Sequence, residues 1–153
     1  LKDRFDLHPP PELVEGFRAG RRHHFSEGSR DLGLLGTGWS SPEACGTWSV
    51  GDHATLELGT MPDRRLTLAF SLRTFVPQGA SLNVDVEFDG ATIGRWTFEP
   101  SADIEVRQIE IPSERRSRGR LVFHHRDARS PLDLGLSEDS RRLGLGLIDL
   151  CAR

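Results

Sequence analysis

Hydrophobic and polar residues alternate with a period of two along several segments of this chain. In the clearest segment, 82–88, leucine, two valines and phenylalanine alternate with asparagine, aspartate and glutamate. The segment 66–73 repeats the pattern, with three leucines and a phenylalanine at every second position. Because successive side chains of a strand point to opposite faces, each segment predicts a strand with one buried and one exposed face.

A tight hairpin is predicted where the segment 82–88 ends. Asp89-Gly90 follows directly, and this pair readily adopts the positive φ angles that a two-residue hairpin turn requires. The return strand is predicted over residues 91–98. Ile93 falls out of phase with the aromatic residues that follow it, so we expect a β-bulge at Gly94. The segment 104–111 shows a similar change of phase.

Further short strands follow at regular spacing, with almost no helical periodicity between them. They are predicted at 23–25, 32–35, 54–58, 104–111, 120–124 and 143–150, with another that begins at Trp48. Eight to ten strands of this kind predict an all-β fold, an antiparallel β-sandwich of jelly-roll-like form. We expect residues 21–153 to form this domain and residues 1–20, which include three consecutive prolines, to form an extended or helical connector from a preceding domain.

Composition and charge exclude several functional classes. The chain has 153 residues and a formal net charge of −3, and its basic residues, nearly all arginine, are interleaved with acids. This distribution does not favour nucleic acid as a partner. The arginine-rich segment 115–120 is interpreted as a solvated loop, with an anionic partner as the alternative. No apolar run has the length of a membrane span, so we expect no direct membrane insertion.

Cys45 and Cys151 are the two cysteines of the chain. Two cysteines do not form a disulfide framework, and neither has a metal-ligand spacing. We expect two buried thiols in a reducing compartment and therefore a cytoplasmic protein; a single bridge between the two is the alternative.

The loop 38–51 carries the first candidate site, Trp39, Glu43 and Trp48. A tryptophan in a glycine-punctuated loop is either a core plug or a flat platform for a ligand. In the ligand interpretation an indole stacks on the apolar face of a sugar ring while Glu43 hydrogen-bonds its hydroxyls. In the structural interpretation Trp48 begins a strand and points inward. We favour an inward Trp48, and for Trp39 the two interpretations remain open.

The loop 130–144 is the second candidate, because hydroxyls, carboxylates and arginines run directly into the last predicted strand. Arg141 or Arg142 is expected to pair bidentately with Glu43 or Asp139 and so hold two loops together. The functional alternative places Asp139 and one arginine in the same cleft as Trp39.

Catalysis is not favoured by any motif. Glu43 and Asp139 are far apart in sequence, which is weak evidence for the paired carboxylates of a glycosidase. No nucleophile elbow, phosphate-binding glycine loop or zinc-protease motif occurs. The doublets His23-His24 and His124-His125 lie in predicted strands and point to opposite faces, so we expect solvated or core-edge histidines. We expect no catalytic residue, no metal and no cofactor in this domain.

The two loops, 38–51 and 130–144, taken together resemble β-sandwich accessory domains attached to bacterial glycosyltransferases and related polysaccharide-assembly proteins. The first has the form GWSxPExxGTWSxG and the second SPxxLGxSxDxRxLG. The resemblance covers roughly residues 21–150, and Cys45 departs from it, because an aromatic residue is usual there. It implies a carbohydrate-binding-like fold in a polysaccharide-biosynthesis protein, with a glycan or glycan-lipid intermediate and the catalytic domain of the same chain as partners.

Two functional hypotheses follow. In the first, the domain is non-catalytic and binds or orients a glycan: Trp39 stacks on a sugar ring, Glu43, Asp139 and Arg141 bond its hydroxyls, and Trp48 supports the loop from the core. In the second, the domain is a ligand-free scaffold or interaction module that positions a catalytic domain. A solvent-accessible Trp39 beside unpaired polar groups favours the first hypothesis, and a buried one the second.

Overall fold

The computed structural model describes residues 16–113 and 118–153, and within them the fold is an antiparallel β-sandwich with one short 3₁₀ helix (Arg30–Leu34). No helix in these residues is long and apolar enough to cross a membrane. The two antiparallel sheets confirm the predicted all-β class. The strands, numbered in chain order, are β1 (Arg22–His24), β2 (Thr47–Val50), β3 (His53–Glu57), β4 (Leu66–Thr74), β5 (Leu82–Phe88), β6 (Ala91–Phe98), β7 (Glu105–Ile111), β8 (Arg120–His124) and β9 (Leu143–Ala152).

The strands form two sheets, and the long strand β9 organises the first. This sheet has the order β1–β9–β4–β7, and β2 also pairs with β9. The two short strands share one edge of β9: β2 pairs with residues 143–147 and β1 with residues 149–151. The second sheet has the order β3–β8–β5–β6. All pairings are antiparallel, as expected for a sandwich with one buried face per sheet.

An aromatic cluster joins the two sheets at the centre of the core. Phe123 of β8 lies edge-on to Phe70 of β4, with ring centroids 5.6 Å apart, and stacks on Trp96 of β6 at 5.8 Å. The alternating apolar residues of β4 and β5 surround this cluster and are almost fully buried. The period-two pattern of the sequence therefore corresponds to the inner faces of the sandwich.

The hairpin between β5 and β6 has the predicted geometry. Asp89 and Gly90 both have positive φ, 47° and 91°, which is the conformation of a type I′ turn. The Asp89 carboxylate also accepts backbone N–H bonds from residues 118–120 of the neighbouring chain segment. The predicted bulge is present as well, since the pairing register shifts between Val86–Gly94 and Glu87–Thr92 and leaves Ile93 unpaired.

The phase change in 104–111 has a different cause from the bulge. Strand β7 pairs residue by residue with β4, so its backbone is regular. Ile104 and Val106 are 53% and 59% exposed on the outer face, whereas Ile109 and Ile111 are buried on the inner face. An inward Arg107 fills the intervening position, with its guanidinium carbon 4.5 Å from the Phe98 ring centroid.

Several local predictions are corrected. The predicted strand 32–35 is the 3₁₀ helix, which begins where the Ser29 hydroxyl accepts the Asp31 N–H. Neither thiol is fully buried: Cys45 is exposed and Cys151 half-buried, and both are free. In the predicted connector, residues 1–15 lie outside the described residues, as do residues 115–117 of the arginine-rich segment. Phe17, which is described, is buried in the core.

Candidate functional site

The first candidate loop doubles back on itself, and this fixes where its tryptophans point. Residues 38–40 run antiparallel to β2: the Val50 N–H donates to the Gly38 carbonyl and the Ser40 N–H to the Trp48 carbonyl. Trp39 is thereby paired with Ser49. Paired residues of antiparallel strands share a face, and neighbours along a strand have opposite faces. Trp39 therefore points inward with the buried Ser49, and Trp48 points outward.

Trp39 is a half-buried plug at the edge of the core. Its ring lies edge-on to Phe123, with centroids 6.5 Å apart, and its indole N–H donates to the Thr55 carbonyl at 2.7 Å. Both the ring and the N–H are thus engaged within the domain. This position favours the structural interpretation of Trp39 over the predicted sugar-stacking role.

The predicted inward orientation of Trp48 is wrong. Its neighbours Thr47 and Ser49 occupy the buried side of β2, and Trp48 lies half-exposed on the outer face. There it covers Gly146 of β9, its partner across the strands. A Cβ atom on Gly146 would lie 3.2 Å from each of three atoms of the indole six-membered ring. Equal distances to three ring atoms mean that the indole lies flat over Gly146, with its opposite face turned away from the sheet.

A shallow cleft of about 120 Å³ opens beside this indole. It is smaller than the pockets that enclose a small molecule, and it suits one ring bound at a surface. Trp48, Gly146 and Ile148 are apolar residues of its lining, and Glu43 and Arg73 are the charged ones. Its lining residues are Glu43, Cys45, Gly46, Trp48, Arg73, Gly146 and Ile148.

Glu43, Asp139 and Arg141 come together as predicted, in an ion-pair network between the two loops. The Arg141 guanidinium donates from Nε and Nη2 to the Asp139 carboxylate, at 2.9 and 2.6 Å. Its Nη1 donates to Glu43 Oε2 and to the Ser40 hydroxyl, both at 3.1 Å. These hydrogen bonds lower the pKa of Asp139 to about 2 and raise that of Arg141. The arginine therefore holds the first loop against the second.

Arg142 connects the second loop to other segments of the chain, through contacts separate from that network. It donates to the carbonyls of Arg126 and Ala128 and pairs with Asp52 at 2.8 Å. Of the two arginines considered from sequence, Arg141 is thus the partner of Glu43 and Asp139.

The histidine doublets are split between inside and outside, as expected from strand geometry. His23 is fully buried, stacks on Phe17 and lies 2.9 Å from Asp31 through Nδ1, while His24 is exposed. His125 is also fully buried, beyond the core-edge position expected. Among the residues that the structure describes, no group of three His, Cys, Asp or Glu side chains is placed to hold a metal ion.

Sequence reasoning did not predict that Arg73, Gly146 and Ile148 line the cleft. Arg73 occupies an outward position of the alternating segment 66–73, which signals exposure but not its neighbours. Gly146 is one of two glycines that alternate with leucines in the last strand, and a glycine inside a strand often marks a close approach by another group. Cross-strand register, which brings Trp48, Gly146 and Arg73 into one row, is the information that the sequence lacked.

Comparison with known proteins supports the fold of this chain but assigns the chain to no family. No protein-family model matches the chain, and no curated protein matches it. One solved structure, a family GH115 4-O-methyl-α-glucuronidase with specificity for decorated arabinogalactans, is similar over 99% of this chain with a TM-score of 0.55 and 14% identity. The chain spans 19% of that enzyme's length. A CBM4 carbohydrate-binding module is similar over 92% of this chain and 94% of its own, with a TM-score of 0.44 and 12% identity.

Proposed function

We propose that this chain is a non-catalytic carbohydrate-binding module whose ligand surface is the outer face of the first sheet. The observation that carries the proposal is the Trp48 indole, which lies flat over Gly146 beside the cleft with its opposite face turned away from the sheet. Sugar rings have apolar C–H faces and polar rims, so a flat indole beside polar groups is a suitable receptor.

The polar groups around the indole fit this role. Glu43 uses Oε2 to bind Arg141, and within the described residues its Oε1 accepts no hydrogen bond. That oxygen is thus free to accept from a sugar hydroxyl. Because Arg141 holds the Glu43 carboxylate at the rim of the cleft, the ion-pair network positions the binding group rather than contacting the ligand itself. Asp139 and Arg141 then support the site from behind, and Trp39 supports the loop from the core.

The wider context of the proposal rests on the sequence resemblance of the loops 38–51 and 130–144. They resemble accessory domains of glycosyltransferases and polysaccharide-assembly proteins, so we infer a parent protein of that class. Because both cysteines are free thiols, we place it in the reducing cytoplasm. The ligand is then a glycan or glycan-lipid intermediate, and the module holds it near the catalytic domain of the same chain.

A ligand-free scaffold is the second candidate, and one observation favours it. Arg141 is bound by Glu43 and Asp139, and the Trp39 N–H by the Thr55 carbonyl, so these groups have their partners within the domain. In this alternative the outward-facing indole of Trp48 packs on a catalytic domain, and the isolated module binds no sugar.

Binding of surface polysaccharides to the purified domain, measured on a glycan array and by calorimetry, separates the two candidates. Trp48→Ala should weaken binding at least tenfold, since a stacking residue on a binding surface contributes about 1.4 kcal/mol or more. Gly146→Ala should weaken it severalfold, because the added methyl group lifts the indole off the sheet. Thr92→Ala, on the outer face of the second sheet, is the control and should bind like the wild type. Absence of binding by the wild type, or full binding by Trp48→Ala, would reject the module function.

A further inference from the structure

We infer that the glycan bound at the Trp48 cleft is acidic, and that Arg73 recognises its anionic group. This inference rests on the proposed function and names the class of its ligand: a sugar that carries a carboxylate or a sulfate ester. A uronic acid, with its carboxylate attached to the ring, is the simplest member of the class.

Arg73 and Trp48 lie in one row across the outer face of the first sheet. Gly146 of β9 pairs with Trp48 of β2 on one side and with Arg73 of β4 on the other. Residues opposite one another in adjacent strands project from the same face. Two strand spacings separate the Cα atoms of Trp48 and Arg73 by about 10 Å. Because Gly146 has no side chain, the Trp48 indole covers the position between them.

The Arg73 guanidinium has no hydrogen-bond or ion-pair partner among the described residues, unlike the guanidinium groups of three other arginines. Arg141 pairs with Asp139 and Glu43, Arg142 with Asp52, and Arg22 with Asp149. Arg73 is exposed, and within the residues that the structure describes it makes no hydrogen bond or ion pair. Glu43, the other charged residue of the cleft, is already held by Arg141. The cleft therefore presents one unpaired cation beside one indole face.

An unpaired guanidinium next to a stacking surface selects for an anionic sugar. Guanidinium groups bind carboxylates and sulfate-like groups through two parallel N–H bonds, which fixes the orientation of the ligand as well as its charge. A sugar ring stacked on the outer face of Trp48 could extend a ring substituent past the edge of the indole, along the row toward Arg73. The net charge of the chain is −3, so attraction of an acidic glycan cannot come from the protein as a whole and has to be local.

The test compares matched probes by calorimetry: oligogalacturonate, the same oligosaccharide with its carboxylates reduced to alcohols, and a sulfated galactan oligosaccharide. We expect the wild type to bind oligogalacturonate about tenfold more tightly than the reduced form, as for one charged hydrogen-bonded pair. Arg73→Gln should remove that difference and leave the affinity for the reduced form unchanged. Arg65→Gln is the control, since Arg65 is also an exposed arginine and lies next to the opposite end of β4, and this variant should bind like the wild type.

The outcomes separate this inference from the proposed function. Equal affinity for the acidic and reduced forms, or an undiminished preference in Arg73→Gln, overturns the role of Arg73 while sugar binding stands. Binding of none of the probes by the wild type overturns both proposals. Tighter binding of the sulfated probe, lost in Arg73→Gln, supports the anionic class and identifies the sulfate ester as its source.

Discussion

Trp39→Ala is the substitution that tests the inward orientation of this side chain. The indole of Trp39 fills the edge of the core beside Phe123 and donates its N–H to the Thr55 carbonyl at 2.7 Å. Trp48 projects from the opposite face of the sheet, where its ring covers Gly146 outside the core. Trp39→Ala should therefore lower the free energy of unfolding more than Trp48→Ala does.

The expected magnitude follows from burial and hydrogen bonding. Removal of a fully buried tryptophan costs roughly 3–5 kcal/mol, and Trp39 is half-buried, so its packing contributes about 2 kcal/mol. The lost hydrogen bond adds about 1 kcal/mol, and no more, because the Thr55 carbonyl also accepts the Gly36 N–H. We expect a loss of about 3 kcal/mol for Trp39→Ala and about 1 kcal/mol for Trp39→Phe, which keeps most of the ring but removes the donor. Trp48→Ala should cost about 1–2 kcal/mol.

Urea unfolding followed by far-ultraviolet circular dichroism is the appropriate assay, because it does not depend on the tryptophan that is removed. A shift of the midpoint at constant slope reports stability alone. In thermal unfolding the loss for Trp39→Ala corresponds to roughly 6–12 °C. The reasoning is refuted if Trp48→Ala proves as destabilising as Trp39→Ala, because that result would place Trp48 in the core.

Three further predictions concern stability. Gly90→Val should cost about 1 kcal/mol or more, because a β-branched residue resists the positive φ of the turn; an unchanged melting temperature would contradict this geometry. Asp139→Asn should lower the free energy of unfolding by about 1 kcal/mol, as expected for a partly exposed charged network. Because the ion pair lowers the pKa of Asp139, its contribution to the stability of the wild type should be lost as the pH falls from about 4 toward about 2. Urea unfolding of both proteins across this pH range checks the prediction. Burial lowers the pKa of His125, whose Nε2 has no hydrogen-bond partner in the described residues, so the unfolded chain binds a proton more readily. Stability should consequently fall as the pH drops below about 6.5, and a urea midpoint independent of pH between about 7.5 and about 5.5 would argue against it.

The strands and the hairpin were predictable because their signals are local. The alternation over 82–88 gives the buried face directly, and Asp89-Gly90 adopts the turn conformation through its own backbone preferences. The segment 32–35 shows the limit of such reasoning: a short apolar run fits a strand or a buried helical turn equally well. Here the Ser29 hydroxyl caps the Asp31 N–H and starts a 3₁₀ helix.

The orientation of the two tryptophans was not predictable from hydrophobicity, because β2 buries its polar residues. The Thr47 hydroxyl donates to the Phe25 carbonyl at 2.7 Å, and the Ser49 hydroxyl accepts the Leu145 N–H at 2.7 Å. Both polar groups are hydrogen-bonded, so burying them costs little, and the larger Trp48 is turned outward. A rule that places apolar side chains inside therefore gives the wrong face.

For the ion-pair network, the sequence predicts which residue types can pair but not their arrangement in space. Asp139 and Arg141 are neighbours in sequence, but Glu43 is almost 100 positions away from them, and its pairing depends on how the two loops meet at β9. Arg73 enters the cleft for the same reason, since β4 follows β9 on the side opposite β2. Register across the sheet, rather than any motif, assembles the candidate site.

The central claim is that the outward indole of Trp48 is the sugar-binding surface, and nuclear magnetic resonance of the indole N–H groups tests it most directly. The chain has three tryptophans, so an amide correlation spectrum contains three indole resonances, which can be assigned with Trp48→Phe. The N–H groups of Trp39 and Trp96 donate to the carbonyls of Thr55 and Gln108. On titration with oligogalacturonate we predict that the Trp48 resonance shifts while the other two remain in place. A titration in which the Trp48 resonance stays fixed, or in which Trp39 alone responds, would contradict the claim.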